Sequence, residues 1–148
     1  LEDFETRQKL LDVLADHPDA EVREAVANFE CISNETYAKL INDEHTQVAV
    51  RAIDAAGYKH TLTFDMVGDV LNKGDIARCE AIAENIDNFA ERDKLTLAHR
   101  LLNMGNHGIK LKLMRRPWAR NNFALSKLAQ DDDLTIAVEA RARLADID

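Results

Sequence analysis

Apolar residues along this 148-residue chain recur at three- and four-residue spacing, and the two-residue alternation of a half-buried strand is absent. Leu10, Leu11, Leu14 and Ala15 form one stripe. Val22, Val26 and Phe29 form the next, widened by Ala25. The residues between the stripes punctuate ten short helices. The first covers about residues 6–16 and ends before Pro18, which cannot sit in a helix interior. Asp19 suits the N-cap of a second over about residues 20–28, its carboxylate accepting free first-turn N–H groups. Ser33 or Asn34 caps a third that carries Tyr37, Leu40 and Ile41. A fourth runs over about residues 46–56, with Gly57 as its left-handed stop.

Thr61 or Thr63 starts the fifth, with Met66, Val67, Val70 and Leu71 turned inward. Gly74 ends it, and Asp75 caps the sixth, which carries Ile76, Cys79, Ile82 and Ala83. Asn88-Phe89-Ala90-Glu91 has the spacing of a capping box and opens a longer seventh helix through Leu95, Leu97, Ala98, Leu101 and Leu102. Gly105 and Gly108 bracket a loop. The eighth covers about residues 109–116 and stops before Pro117. Asn121 or Asn122 caps the ninth, with Leu125 and Leu128 inward. Asp131-Asp132-Asp133 makes a last acidic turn before a tenth helix that reaches about residue 145.

Two phrases in this pattern repeat. Residues 14–28 read LADHPDAEVREAVAN, and residues 40–56 read LINDEHTQVAVRAIDAA. Each is a helix end, an acidic turn, and a second helix opening near a Val-Arg pair. The second helices register on Arg23, Arg51, Arg78, Lys110 and Val138, at steps of 28, 27, 32 and 28. The long step contains Gly105 and Gly108 and reads as an insertion in the fourth unit. A helix pair this short cannot bury its apolar face alone, whereas a stack of pairs can. The expected architecture is therefore all-α: one domain, a right-handed α-solenoid of about five antiparallel helix pairs. The units fall at about residues 6–32, 33–60, 61–87, 88–120 and 121–148.

LADHPDAEVREAVAN resembles units of HEAT-like α-solenoids and, in its shortness, the leucine-rich repeat variant group within that class. The motif is clear in the first two units, fair in the fifth and weak in the third and fourth. The resemblance implies a curved helical stack that serves as a binding scaffold; such motifs specify a fold and no chemistry. The cysteine cluster of some variant-repeat proteins is not present.

Composition agrees with a folded chain: 46% of residues are hydrophobic and 31% charged. Five Gly and two Pro are too few for an all-β protein with many tight turns. No apolar run approaches the roughly 20 residues of a membrane span. The acidic start, Leu-Glu-Asp-Phe-Glu, does not read as a signal peptide. It also lacks Met, which points to a trimmed chain and leaves an upstream targeting segment open. Cys31 and Cys79 fit neither a CxxC pair nor a disulfide framework and read as two small, semi-buried thiols. A reducing, cytoplasmic location is the expectation.

Charge changes the picture more. The net charge is −8, yet residues 91–120 hold eight basic and two acidic residues, a local +6 against −14 for the rest. On the eighth helix, Lys112, Arg115 and Arg116 fall at i, i+3 and i+4 and so share one face. The sole Trp, Trp118, and Arg120 follow directly. These five residues are the candidate partner-binding site. Clustered arginines with an aromatic suit a protein hot spot, phosphate contact or base stacking. The competing reading is structural: a basic edge that neutralises acidic neighbours, with Trp118 filling the gap at the insertion. Nucleic acid ranks below a protein partner, because the acidic units on either side would repel phosphates. Some HEAT-like proteins are DNA glycosylases, but their concave faces are strongly basic.

Phosphate-binding, metalloprotease and nucleophile-elbow motifs are absent. His17 and His45 occupy equivalent turn positions and read as surface residues. Asp131-Asp132-Asp133 reads as helix capping in preference to a cation site. Arg23, Arg51 and Arg78 either form a ladder along one side or pair with acidic residues of adjacent turns. No catalytic residue, cofactor or metal is assigned. The reading is a non-enzymatic scaffold that binds a protein through its concave face or the basic fourth unit. One alternative is a nucleic-acid-binding or base-processing protein using residues 110–120. Another is a piece of a longer solenoid, which exposed Phe4 at one end and Leu144 with Ile147 at the other would signal.

Overall fold

Side-chain caps decide where most helices begin. The computed structural model describes residues 3–30, 32–121 and 123–146, apart from the side chain of Asn121. The expectations for Cys31, Ile147 and the Asn121 or Asn122 cap lie outside the described residues. α1 (Phe4–Leu14) follows Asp3, whose carboxylate accepts the Thr6 N–H at 2.7 Å. Asp19 opens α2 (Ala20–Val26), and Ser33 opens α3 (Asn34–Ile41). α4 (Thr46–Tyr58) starts at His45 without a side-chain cap. Thr63 caps α5 (Phe64–Lys73), and Asp75 caps α6 (Ile76–Glu84). α7 (Glu91–Asn103) precedes α8 (His107–Met114), which Asn106 caps. α9 (Phe123–Leu128) precedes α10 (Leu134–Ala145), which Asp133 caps. Short 3-10 turns at Ile86–Asn88 and Pro117–Asn121 complete the order, and the described residues contain no strand. The fold is all-α.

Several expectations are corrected. Gly57 does not end α4. It lies buried inside the helix, where a Cβ would overlap Asn85 Oδ1 and come within 2.8 Å of Asn85 Cγ. Its role is close approach between helices, and the positive φ that follows α4 falls on His60. Gly74, at φ +69°, is the expected left-handed stop. Asn88 does not cap α7. It belongs to the 3-10 turn, where its Nδ2 donates to Asn85 Oδ1, and the N-cap position falls on Ala90 without a side-chain bond. Gly108 is helical, so the surplus length of the fourth unit is not a glycine loop. It lies in α7, which has 13 residues against 10 in α5 and 8 in α3. Leu10, placed in the first apolar stripe, is 57% exposed. Cys79 is completely buried, not semi-buried.

Consecutive helices pack as α1 with α2, α3 with α4, α5 with α6, α7 with α8 and α9 with α10. The even-numbered helices also contact one another in series, α2 to α4 to α6 to α8 to α10; α3, α5 and α7 do the same. Between the two rows runs one contiguous core, from Leu11 and Val26 through Ile53, Ile82 and Leu101 to Leu125 and Ile136. Among the described residues, no helix is long and apolar enough to cross a membrane.

Candidate functional site

The basic segment is held from both sides. α8 ends at Met114, so Arg115 and Arg116 lie past the helix and the expected shared face is not carried through. Lys112 Nζ reaches Glu84 of α6. Arg116 Nε donates to Asp87 Oδ2 at 3.0 Å, and the other oxygen of Asp87 accepts the backbone N–H of Trp118 at 2.9 Å. The 3-10 turn 86–88 thereby anchors the 3-10 turn 117–121. On the opposite side, Arg115 forms a two-pronged pair with Glu139 of α10, both bonds at 2.9 Å. Trp118 is half-buried and meets Phe123 edge-on, with ring centres 6.4 Å apart; Phe123 in turn stacks on His99. Arg120 is exposed on the second 3-10 turn. The five candidate residues thus sit close together, with three of their cations engaged to carboxylates of neighbouring helices.

The same arrangement runs along the whole even row. Arg51 of α4 pairs with Glu24 of α2 at 3.2 Å, and Asp54 of α4 accepts from Asn85 at 3.0 Å. Glu139 of α10 also takes Arg143, at 2.9 Å. A second set of ties closes the turns. Arg23 holds Asp43 with two bonds, at 2.7 and 3.1 Å, and adds the carbonyls of His17 and Pro18. Arg78 bonds Asp75 and the Asp43 carbonyl, each at 2.7 Å. Lys110 holds Asp131 at 2.7 Å, while His107 Nδ1 lies 2.6 Å from Asp133. Arg23, Arg51 and Arg78 therefore pair with neighbouring groups and do not form a free ladder.

These pairs tune acidity. Arg115 first, then Arg143, pulls the Glu139 carboxyl down to about 2 against the partial burial that opposes it. The Thr135 hydroxyl and His107 hold Asp133 at about 2. Burial raises Asp131, but Lys110 and the Asp133 N–H outweigh it and leave the group below its usual value. Asp54 moves the other way. Desolvation against α6 raises it, Asn85 offsets only part of this, and nearby Glu84 adds repulsion. Beside Asp54, a shallow recess between α2 and α4 is lined by Asn28, Arg51, Tyr58 and Lys59. Tyr58 is 85% exposed there.

Glu84, Asp87 and Glu139, the partners of the basic segment, escape a local reading of the sequence. They lie 24 to 31 residues from the groups they bind. The one signal that points to them is the spacing of the sequence pattern itself, since a residue one period away sits on the adjacent helix of the row. No family model, curated protein or solved structure matches this chain.

Proposed function

We propose that the chain is a right-handed HEAT-like α-solenoid of five helix pairs that works as a non-enzymatic scaffold. It binds a protein partner along the exposed, concave side of its even-numbered helices. Supporting the solenoid is the serial contact of even helix with even helix. The observation that carries the binding reading is Tyr58, a large aromatic left 85% exposed beside a recess on that row. Around it stand charged side chains already fixed in place by cross-helix pairs. Exposed aromatics of this kind serve as anchors, and ordered charges around them select the partner.

The basic fourth unit takes a smaller part. A phosphate backbone would have to displace Glu84, Asp87 and Glu139 from Lys112, Arg116 and Arg115. Trp118, with its backbone N–H tied to Asp87 and its ring against Phe123, is not poised to stack on a base. Two measurements test this. Affinity capture from cell extract compares the wild type with Tyr58→Glu and with Arg115→Glu/Arg116→Glu. Loss of specific proteins with Tyr58→Glu is expected, and an identical set for all three overturns the reading. Trp118 fluorescence titrated with DNA or RNA at low salt is expected to stay flat. A saturable change that salt reverses would move the assignment to nucleic acid.

A further inference from the structure

The contacts along the even row use one set of positions, in two registers. Counted from the first residue of each even helix, the fifth, ninth and twelfth positions reach forward, and the second, sixth and tenth receive. From α6 to α8, Glu80 faces Gly108, Glu84 binds Lys112, and Asp87 binds Arg116. From α8 to α10, Arg115 at the ninth position binds Glu139 at the sixth. From α2 to α4 and from α4 to α6 the pairing falls one turn later: Glu24 at the fifth position binds Arg51 at the sixth, and Asp54 at the ninth accepts from Asn85 at the tenth.

At the two ends of the row the set continues, but its residues change character. The forward positions of α10 are Val138, Ala142 and Ala145, with Leu134 one turn earlier. All four are exposed, Leu134 by 73% and Val138 by 62%. The receiving positions of α2 are Glu21, Ala25 and, just past the helix, Phe29; Ala25 is exposed and Phe29 is 50% exposed. Where α6 and α8 carry charges that need a charged mate, these two faces carry small and apolar groups that suit each other. In the register of α6 on α8, Val138 meets the aliphatic stem of Glu21, Ala142 meets Ala25 and Ala145 meets Phe29; in the register of α2 on α4, Val138 meets Ala25 and Ala142 meets Phe29. The small residues permit close approach, as Gly57 does where α4 meets α6.

We propose that a second copy of this chain seats its α2 on α10, extending the even row from one molecule into the next. The contact is heterologous: it uses two different surfaces, so it propagates head to tail instead of closing into a pair. The apolar patch is modest, and the association is therefore reversible and concentration-dependent. This surface borders the face around Tyr58 at Phe29, whose carbonyl accepts from Lys59, and neither assignment depends on the other.

Sedimentation velocity over a dilution series tests the proposal. The wild type is expected to rise with concentration through dimer to larger species. Val138→Arg blocks one end and Ala25→Arg the other; each alone is expected to stay monomeric, with helical circular dichroism unchanged. Mixed in equal amounts, they retain one good α2 face and one good α10 face between them. They are expected to form a dimer at twice the monomer mass and nothing larger. Should Val138→Arg disturb folding, Leu134→Lys blocks the same end at a more exposed position. A wild type that remains monomeric at every concentration overturns the proposal and leaves these faces to another protein or to further helix pairs of a longer chain. Dimers of Ala25→Arg alone would overturn it in favour of α10 pairing with α10, and a mixture that stays monomeric overturns it as well.

Discussion

Gly57 and Gly68 both sit inside helices, yet their surroundings assign them opposite roles. At Gly57 an added methyl meets the Asn85 side chain, which Asp54, Asn88 and the Ala81 carbonyl already hold in place. Gly57→Ala is expected to lower stability by about 1–3 kcal/mol, read from the urea midpoint. A methyl on Gly68 meets nothing within 4 Å, so Gly68→Ala is expected to raise stability by about 0.4–1 kcal/mol by restricting the unfolded chain. Asp54 gives a second pair of opposed outcomes. Its folded carboxyl titrates above the ordinary value, mainly through desolvation. The stability linked to it is present at low pH and lost as pH rises through that raised value. Asp54→Asn keeps an oxygen for the Asn85 amide and removes the charge facing Glu84. Its urea midpoint is expected to exceed the wild type at pH 7 and to match it at pH 3.

Helix boundaries divide by where their cause lies. Asp19, Thr63, Gly74, Asp75 and Asp133 act on backbone groups within three residues, and a reading of the sequence finds each of them. Gly57 misleads because it answers to another helix: it faces Asn85, about thirty residues away and outside any local window. Asn88 misleads because its side chain turns back to Asn85, three residues before it, instead of forward onto α7. The candidate site divides in the same way. Lys112, Arg115, Arg116, Trp118 and Arg120 stand out in the sequence, but the carboxylates that hold three of them become visible only when α6, α8 and α10 stand side by side. The link between α8 and α10 has its own pH signature. Glu139 titrates near 2 in the folded chain against an ordinary 4.5, so its contribution is complete above 4.5 and is lost as pH falls from there toward 2. Glu139→Gln is expected to lower the urea midpoint at pH 7. The difference from the wild type should shrink across that acidic window.

Across the whole molecule, contacts join each helix mainly to its pair and to the next helix of its row. Such contacts are short in sequence, which favours rapid folding and lets regions open separately. Cys79 lies in the middle of this arrangement, on α6, fully buried, its thiol pushed up to about 11 chiefly by desolvation. A thiolate reacts and a buried thiol does not. In a Cys31→Ser chain, modification of Cys79 by a disulfide reagent therefore waits for α6 to lift from its neighbours. Its rate is expected to fall far below that of a free peptide thiol and to climb steeply with urea; labelling as fast as the peptide would mean that the centre stays open. The silent cysteine thus becomes a stopwatch, timing from inside and without an added probe how often the middle of the molecule comes apart.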